Sequence, residues 1–124
     1  PKFSLRRKVI GKYYNKLLTN NNNITLIHRD YDIVVPHIYV VRIKKLKKRD
    51  RLRKEMLDKG IEIGIHYKPN HKLNYFKSNI HIDLPITDLI FKEIISLPMH
   101  PELKDKDIDY IVKSLNELLS KYIK

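Results

Sequence analysis

The C-terminal segment constrains the fold most. Ile108, Ile111, Val112, Leu115, Leu118, Leu119 and Tyr122 recur in three- and four-residue steps. On a 3.6-residue helix that spacing makes one apolar stripe. A stripe of that width has to be covered, so the helix needs a layer to pack on. Asp105 or Asp107 is expected to cap it, because a carboxylate suits the positive end of a helix.

Strand-like segments supply the layer. His37 to Ile43, opened by Pro36, is β-branched and aromatic, as a half-buried strand requires. Ile61-Glu62-Ile63-Gly64-Ile65 alternates strictly, which predicts a strand with its isoleucines on one face. Ile24 to Ile27 is a third, shorter strand. Residues 5–18 carry Leu5, Val9, Ile10, Tyr13, Leu17 and Leu18, a helix with one apolar face, stopped by the run Asn20 to Asn23. Leu52, Met56 and Leu57 mark the buried side of a helix that follows a basic stretch, and Gly60 stands where its C′ residue belongs. Asp30-Tyr31-Asp32 is loop. Residues 86–95 predict a helix capped by Thr87 or Asp88, with Leu89, Ile90 and Ile94 pointing inward. Leu97 to His100 is a short extended piece between prolines. His66 to Phe76 has no clean period and contains Pro69, so it is a structured loop.

The expected order is α, β, β, α, β, loop, α, short β, α. That is an α+β fold, a small, mostly antiparallel sheet with helices packed on one side. The length of 124 residues allows one core.

Composition removes several chemistries. The absence of Cys excludes disulfides, thiolate nucleophiles and cysteine-ligated metals. Three glycines do not make a Gly-rich phosphate loop, and no serine sits in a Gly-x-Ser-x-Gly setting. No apolar run of about 18 residues predicts a membrane span, so the chain is expected to be soluble and cytoplasmic. It starts at Pro1 without an initiator Met, as a processed protein or a piece of a longer one would.

The formal charge of +12 is concentrated at Lys44, Lys45, Lys47, Lys48, Arg49, Arg51, Arg53 and Lys54. Either this is a phosphate-neutralising patch of a stand-alone nucleic-acid-binding module or it is a solvated face. No aromatics are interleaved with the charges, which favours the solvated face. A ligand-free protein-interaction domain is the third possibility. His66 and His71 can form a metal pair with His81 or Asp83. A polar recognition loop explains the same residues better, since its imidazoles and phenols can hydrogen-bond phosphate or sugar hydroxyls. No lysine stands out as a Schiff-base nucleophile. Lys72 lies in the loop among polar neighbours.

Three segments taken together carry a resemblance. They are Arg6-Arg7-Lys8-Val9-Ile10-Gly11-Lys12-Tyr13-Tyr14-Asn15-Lys16-Leu17; Arg49-Asp50-Arg51-Leu52 through Leu57-Asp58-Lys59-Gly60-Ile61 into His66-Tyr67-Lys68-Pro69-Asn70-His71; and Ile94-Ile95-Ser96-Leu97-Pro98-Met99-His100-Pro101-Glu102-Leu103 with the helix through Asp109-Tyr110-Ile111-Val112. In order and spacing they resemble the C-terminal small domain of DegT/DnrJ/EryC1/StrS aminotransferases. These are pyridoxal-phosphate enzymes acting on nucleotide-linked keto sugars in amino-sugar and cell-surface polysaccharide biosynthesis.

The resemblance implies the small domain of the aspartate-aminotransferase fold, with residues 1–124 as roughly the last third of a longer enzyme. The cofactor-binding large domain and its Schiff-base lysine would lie elsewhere. The fragment would bind no cofactor and no metal, have no catalytic residue of its own and be inactive alone. The full enzyme would take its amino group from glutamate and work as a homodimer, with neither nucleic acid nor membrane as partner. Within this chain the resemblance points to His66 and Tyr67 as polar contacts to the sugar or diphosphate. Pro69 would set the loop's path, and His71, with Tyr75 and Phe76 behind it, would also face the ligand. Arg42 would bind an anionic group or stand as a solvated edge. The alternative for His66 and Tyr67 is a strand-end pair hydrogen-bonded within the domain.

Overall fold

The computed structural model describes residues 1–76 and 82–123. The elements run α1 (Lys2–Leu18), β1 (Ile24–Leu26), β2 (Tyr39–Ile43), α2 (Arg49–Asp58), two 3₁₀ turns (Asn70–Lys72 and Asn74–Phe76), α3 (Pro85–Glu93), β3 (Ile94–Leu97) and α4 (Asp105–Tyr122). The three strands form one antiparallel sheet in the order β1-β2-β3. Ile24 faces Ile43 at one ladder, and Tyr39 faces Leu97 at the other. The α+β architecture is as expected. Among the described residues no helix is long and apolar enough to cross a membrane.

The α4 stripe buries every residue the periodicity assigns to it. It packs against α1 and α2, over a core that includes Tyr39, Val41 and Ile43 of the central strand. The cap differs from expectation. Lys104 holds the N-cap position, and Asp107 reaches back from N3 to accept the Lys104 N–H at 2.9 Å. Asp105 pairs instead with Arg6, 2.9 Å away.

In α1 the buried face is Ile10, Gly11, Tyr14 and Leu18. Leu5 and Val9, expected inside, are exposed, because Ile10, Tyr14 and Leu18, four residues apart, set the face that packs on the core, and Leu5 and Val9 lie off it. Tyr14 stacks on Tyr39 with ring centroids 4.6 Å apart. Tyr14 Oη donates to the Pro98 carbonyl at 2.9 Å, and Tyr39 Oη donates to Asn15 Oδ1 at 2.7 Å. Burial pushes both phenols well above the ordinary tyrosine range. In α2, Leu52 and Met56 are buried but Leu57 is 58% exposed. Gly60 takes φ +76° after the helix, the C′ role expected of it.

Two segments depart further. Ile61 to Ile65 is not a strand. It touches the sheet by a single bridge, in which Gly64 and Ser96 exchange both backbone hydrogen bonds at 2.9 Å. Ile61 and Ile63 are buried as alternation requires. Alternation reports which side faces the core, whereas a ladder needs a partner strand along its length.

The second departure is at the end of α3, where Ile94 and Ile95, expected as the last helical residues, open the strand that runs to Leu97. Arg49 donates to the carbonyls of Phe91 and Ile94 and lies 4.7 Å over the Phe91 ring. Glu93 accepts from Arg42 Nε and from the Lys45 N–H, both at 2.7 Å. These bonds end α3 and hand Ile94 to β2, where it pairs with Arg42. Neither Thr87 nor Asp88 caps α3. Leu84 precedes it, Pro85 is its first residue, and Leu89 and Ile90 are exposed.

Candidate functional site

The site is built at the single bridge beside β3. Chain direction past Gly64 and Ile65 brings the His66 ring back over Gly64. A Cβ at residue 64 would stand 2.7 Å from His66 Cε1, so only glycine leaves room for the ring there. The imidazole Nδ1 lies 2.8 Å from Ser96 Oγ, and Ser96 is buried. With one nitrogen fixed by the serine, the orientation of Nε2 is fixed as well. His66 thus has the within-domain hydrogen bond of the structural alternative. It also lines an open cleft of about 800 Å³ together with Gly64, Ser96, His37, His100 and Tyr110, over a floor that includes Leu97, Met99 and Leu103. An apolar floor with a few convergent polar groups is the usual character of a small-molecule cleft.

The other sequence-assigned residues follow His66 along the loop. The Tyr67 ring stands edge-on to His66 at 4.9 Å and is exposed. Pro69 leads into the first 3₁₀ turn, where Lys72 N–H donates to its carbonyl at 2.9 Å. His71 Nε2 lies 2.8 Å from Asp88 Oδ1, and Lys72 Nζ lies 3.0 Å from Asp88 Oδ2. The Lys72 ammonium, aided by His71 and opposed by partial burial, holds the Asp88 carboxyl below the usual carboxylate range. Tyr75 is 91% exposed, edge-on to Phe76 at 5.1 Å.

Arg42 stands apart. It lies in the middle of the sheet, does not line the cleft and is bonded to Glu93. Burial opposes the ionised form of Glu93, but the bonds from Lys45 N–H and Arg42 outweigh it and keep this carboxyl below its ordinary range.

Sequence reasoning missed Ser96, Asp88, His37, His100 and Tyr110. Ser96 and His100 sit within the Ser-Leu-Pro-Met-His-Pro segment, a usable signal. Asp88 reads from its position as a helix cap, a local role, whereas its partner lies 17 residues away. Among the described residues no group of three or more His, Asp or Glu side chains is placed to hold a metal ion. His81, a candidate third ligand, lies outside the described residues.

The basic cluster does not form one face. Arg49 turns inward to backbone carbonyls, and Arg53 donates to the Ile63 carbonyl at 3.3 Å and approaches Asp50 at 3.8 Å. Lys45 and Lys48 adopt positive φ in the connection before α2.

Comparison with known proteins gives a consistent picture. The sequence model of the DegT/DnrJ/EryC1/StrS aminotransferase family matches residues 1–116. The UDP-4-amino-4,6-dideoxy-N-acetyl-β-L-altrosamine transaminase of Campylobacter jejuni is 27% identical over 120 residues, covering 94% of this chain and 32% of that protein. A Streptococcus pneumoniae protein assigned as a sugar aminotransferase, solved in its PLP form, superposes with a TM-score of 0.88 at 26% identity, over 100% of this chain and 33% of that one. Helicobacter pylori PseC, an aminotransferase of pseudoaminic acid biosynthesis, shares the fold, with a TM-score of 0.81 at 18% identity over 97% of this chain and 33% of its own. The chain spans about a third of the length of these relatives.

Proposed function

Because the chain belongs to the DegT/DnrJ/EryC1/StrS aminotransferase family, we propose that it is the small C-terminal domain of a pyridoxal-phosphate-dependent transaminase. In this reading the enzyme moves an amino group from glutamate to a nucleotide-linked keto sugar. The observation that carries the proposal is the Ser96-braced His66 at the mouth of a cleft, in a chain that matches the family over residues 1–116. The UDP-sugar named for the Campylobacter relative supports a nucleotide-sugar substrate.

The described residues do not themselves fit the cofactor. A lysine that forms a Schiff base has to be desolvated, yet no described lysine is buried and none lines the cleft. In this reading the cofactor is held by the parts of the relatives that this chain does not match. The role left to this chain is to form one wall of the cleft, bind and orient the substrate and exclude water. His66 offers Nε2 to a sugar or phosphate oxygen, and Tyr67 offers its phenol beside it. Pro69 holds the backbone between them and His71. Tyr75 and Phe76 extend an exposed aromatic edge from the same loop. Arg42 contributes through the sheet, since its guanidinium is already bonded to Glu93. The enzyme would be cytoplasmic and homodimeric.

The test is transamination by the intact polypeptide encoded with this segment, using glutamate and a UDP-linked keto sugar. Expected is turnover in the intact protein, none in the 124-residue chain, and an in-frame domain bearing a lysine that borohydride traps on pyridoxal phosphate. An intact protein without that lysine domain, or without turnover, overturns the proposal.

A further inference from the structure

We infer that Asp88 is a positioning residue for the loop 66–76, and that α3 and β3 form one platform across which this loop is held at two points. The inference rests on the proposed ligand-binding role of the loop and adds the group that sets its conformation. No side chain between His66 and Phe76 is fully buried, so hydrophobic packing alone does not fix the loop on the domain. Its backbone hydrogen bonds are local, from Lys72, Leu73 and Phe76 N–H to carbonyls three residues back. They shape the turns without attaching them to anything.

Among the described residues, attachment falls to two side chains. Ser96 of β3 takes His66 at the start of the loop. Asp88 of α3 takes two consecutive residues, His71 on Oδ1 and Lys72 on Oδ2. A carboxylate that engages both oxygens with donors from neighbouring residues fixes direction as well as distance.

The two anchors belong to one rigid piece. α3 ends at Glu93 and β3 begins at Ile94, with no residue between them. The junction is pinned by the Glu93 bonds to Arg42 and Lys45. The spacing between Ser96 and Asp88 therefore sets the path of Tyr67, Lys68, Pro69 and Asn70, the stretch between the tethers.

The experiment is ¹⁵N relaxation of the 124-residue chain. Wild-type amides from Tyr67 to Lys72 should have order parameters near ~0.85, and Asp88→Asn should lower them below ~0.6 while α4 stays rigid. Asp88→Glu should restore the order. An Asn variant with an unchanged loop overturns the inference. If that variant fails to fold, His71→Gln and Lys72→Met are measured instead. Partial loosening in both is expected, and an unchanged loop in both overturns it. Uridine diphosphate is the probe of the ligand role. Its shifts at His66 and Tyr67 should need about tenfold more ligand in Asp88→Asn, as for one lost charge-assisted hydrogen bond. A wild-type spectrum unmoved by uridine diphosphate counts against the ligand reading, while the relaxation comparison still decides the role of Asp88.

Discussion

Helices α3 and α4 have similar credentials in the sequence and opposite fates in the fold. Both carry apolar residues at helical spacing. In α4 the whole stripe is buried against α1 and α2. In α3 the only buried residue is a carboxylate, Glu93, while Ile86, Leu89 and Ile90 are exposed. Periodicity establishes that a helix has an apolar face, but it does not say what covers that face. α4 is held by its stripe. α3 is held at its C-terminal end, through Phe91 to Arg49 and through Glu93 to the sheet, and in turn holds the loop through Asp88.

Substitutions can break this contrast, the largest effect being expected in α4. Leu115 is fully buried, and Leu115→Ala should cost about 2–5 kcal/mol, read from urea unfolding of the chain. A variant within 1 kcal/mol of wild type (roughly the spread of ordinary surface substitutions) would show that the stripe is not what holds the domain.

In α3 the end matters more than the face. Glu93→Gln keeps the shape but weakens two bonds at once, and about 1–3 kcal/mol of destabilisation is expected by the same measurement.

Acid should loosen the carboxylate ties of α3. Asp88 and Glu93 have folded pKa values lowered by their partners. Their contribution is therefore full above the unfolded carboxylate range, near ~4, and is lost as pH falls through the lower folded values. Melting temperatures followed from about pH 6 to pH 2.5 should fall steadily at the acid end. Glu93→Gln should flatten that limb. Leu115→Ala should shift the whole curve downward and leave its slope alone.

The smallest effect is expected on the open face of α3. Ile86 is 73% exposed, so Ile86→Ser should stay within about 0.5 kcal/mol of wild type. A loss several times larger would mean that this face is covered in the isolated chain.

The legibility of the sequence follows the range of the interactions involved. The C-terminal stripe, the strand around Tyr39 to Ile43 and the Gly60 stop depend on local spacing or backbone freedom, and each was readable from the residues. Local spacing places Leu5, Leu57, Leu89 and Ile90 on apolar faces, yet the neighbouring elements cover other sides of those helices. Ile61 to Ile65 kept its alternation but lacked a strand partner for a ladder. At the candidate site, His66 and its loop were visible as unusual residues in an aperiodic stretch. Their two supports were not visible, since Ser96 lies 30 residues and Asp88 lies 17 residues from the side chains they hold.

The sequence by itself determined the α+β class, the absence of cysteine chemistry and the family resemblance, because these rest on composition, period and motif order. Only the tertiary structure decided that Arg42 is engaged with a buried carboxylate, that the basic stretch is divided between internal ties and surface lysines, and that one helix–strand segment anchors both ends of the His66–His71 stretch. Those outcomes depend on which distant groups compete for the same charge or hydrogen bond, and that competition is settled only when the chain packs.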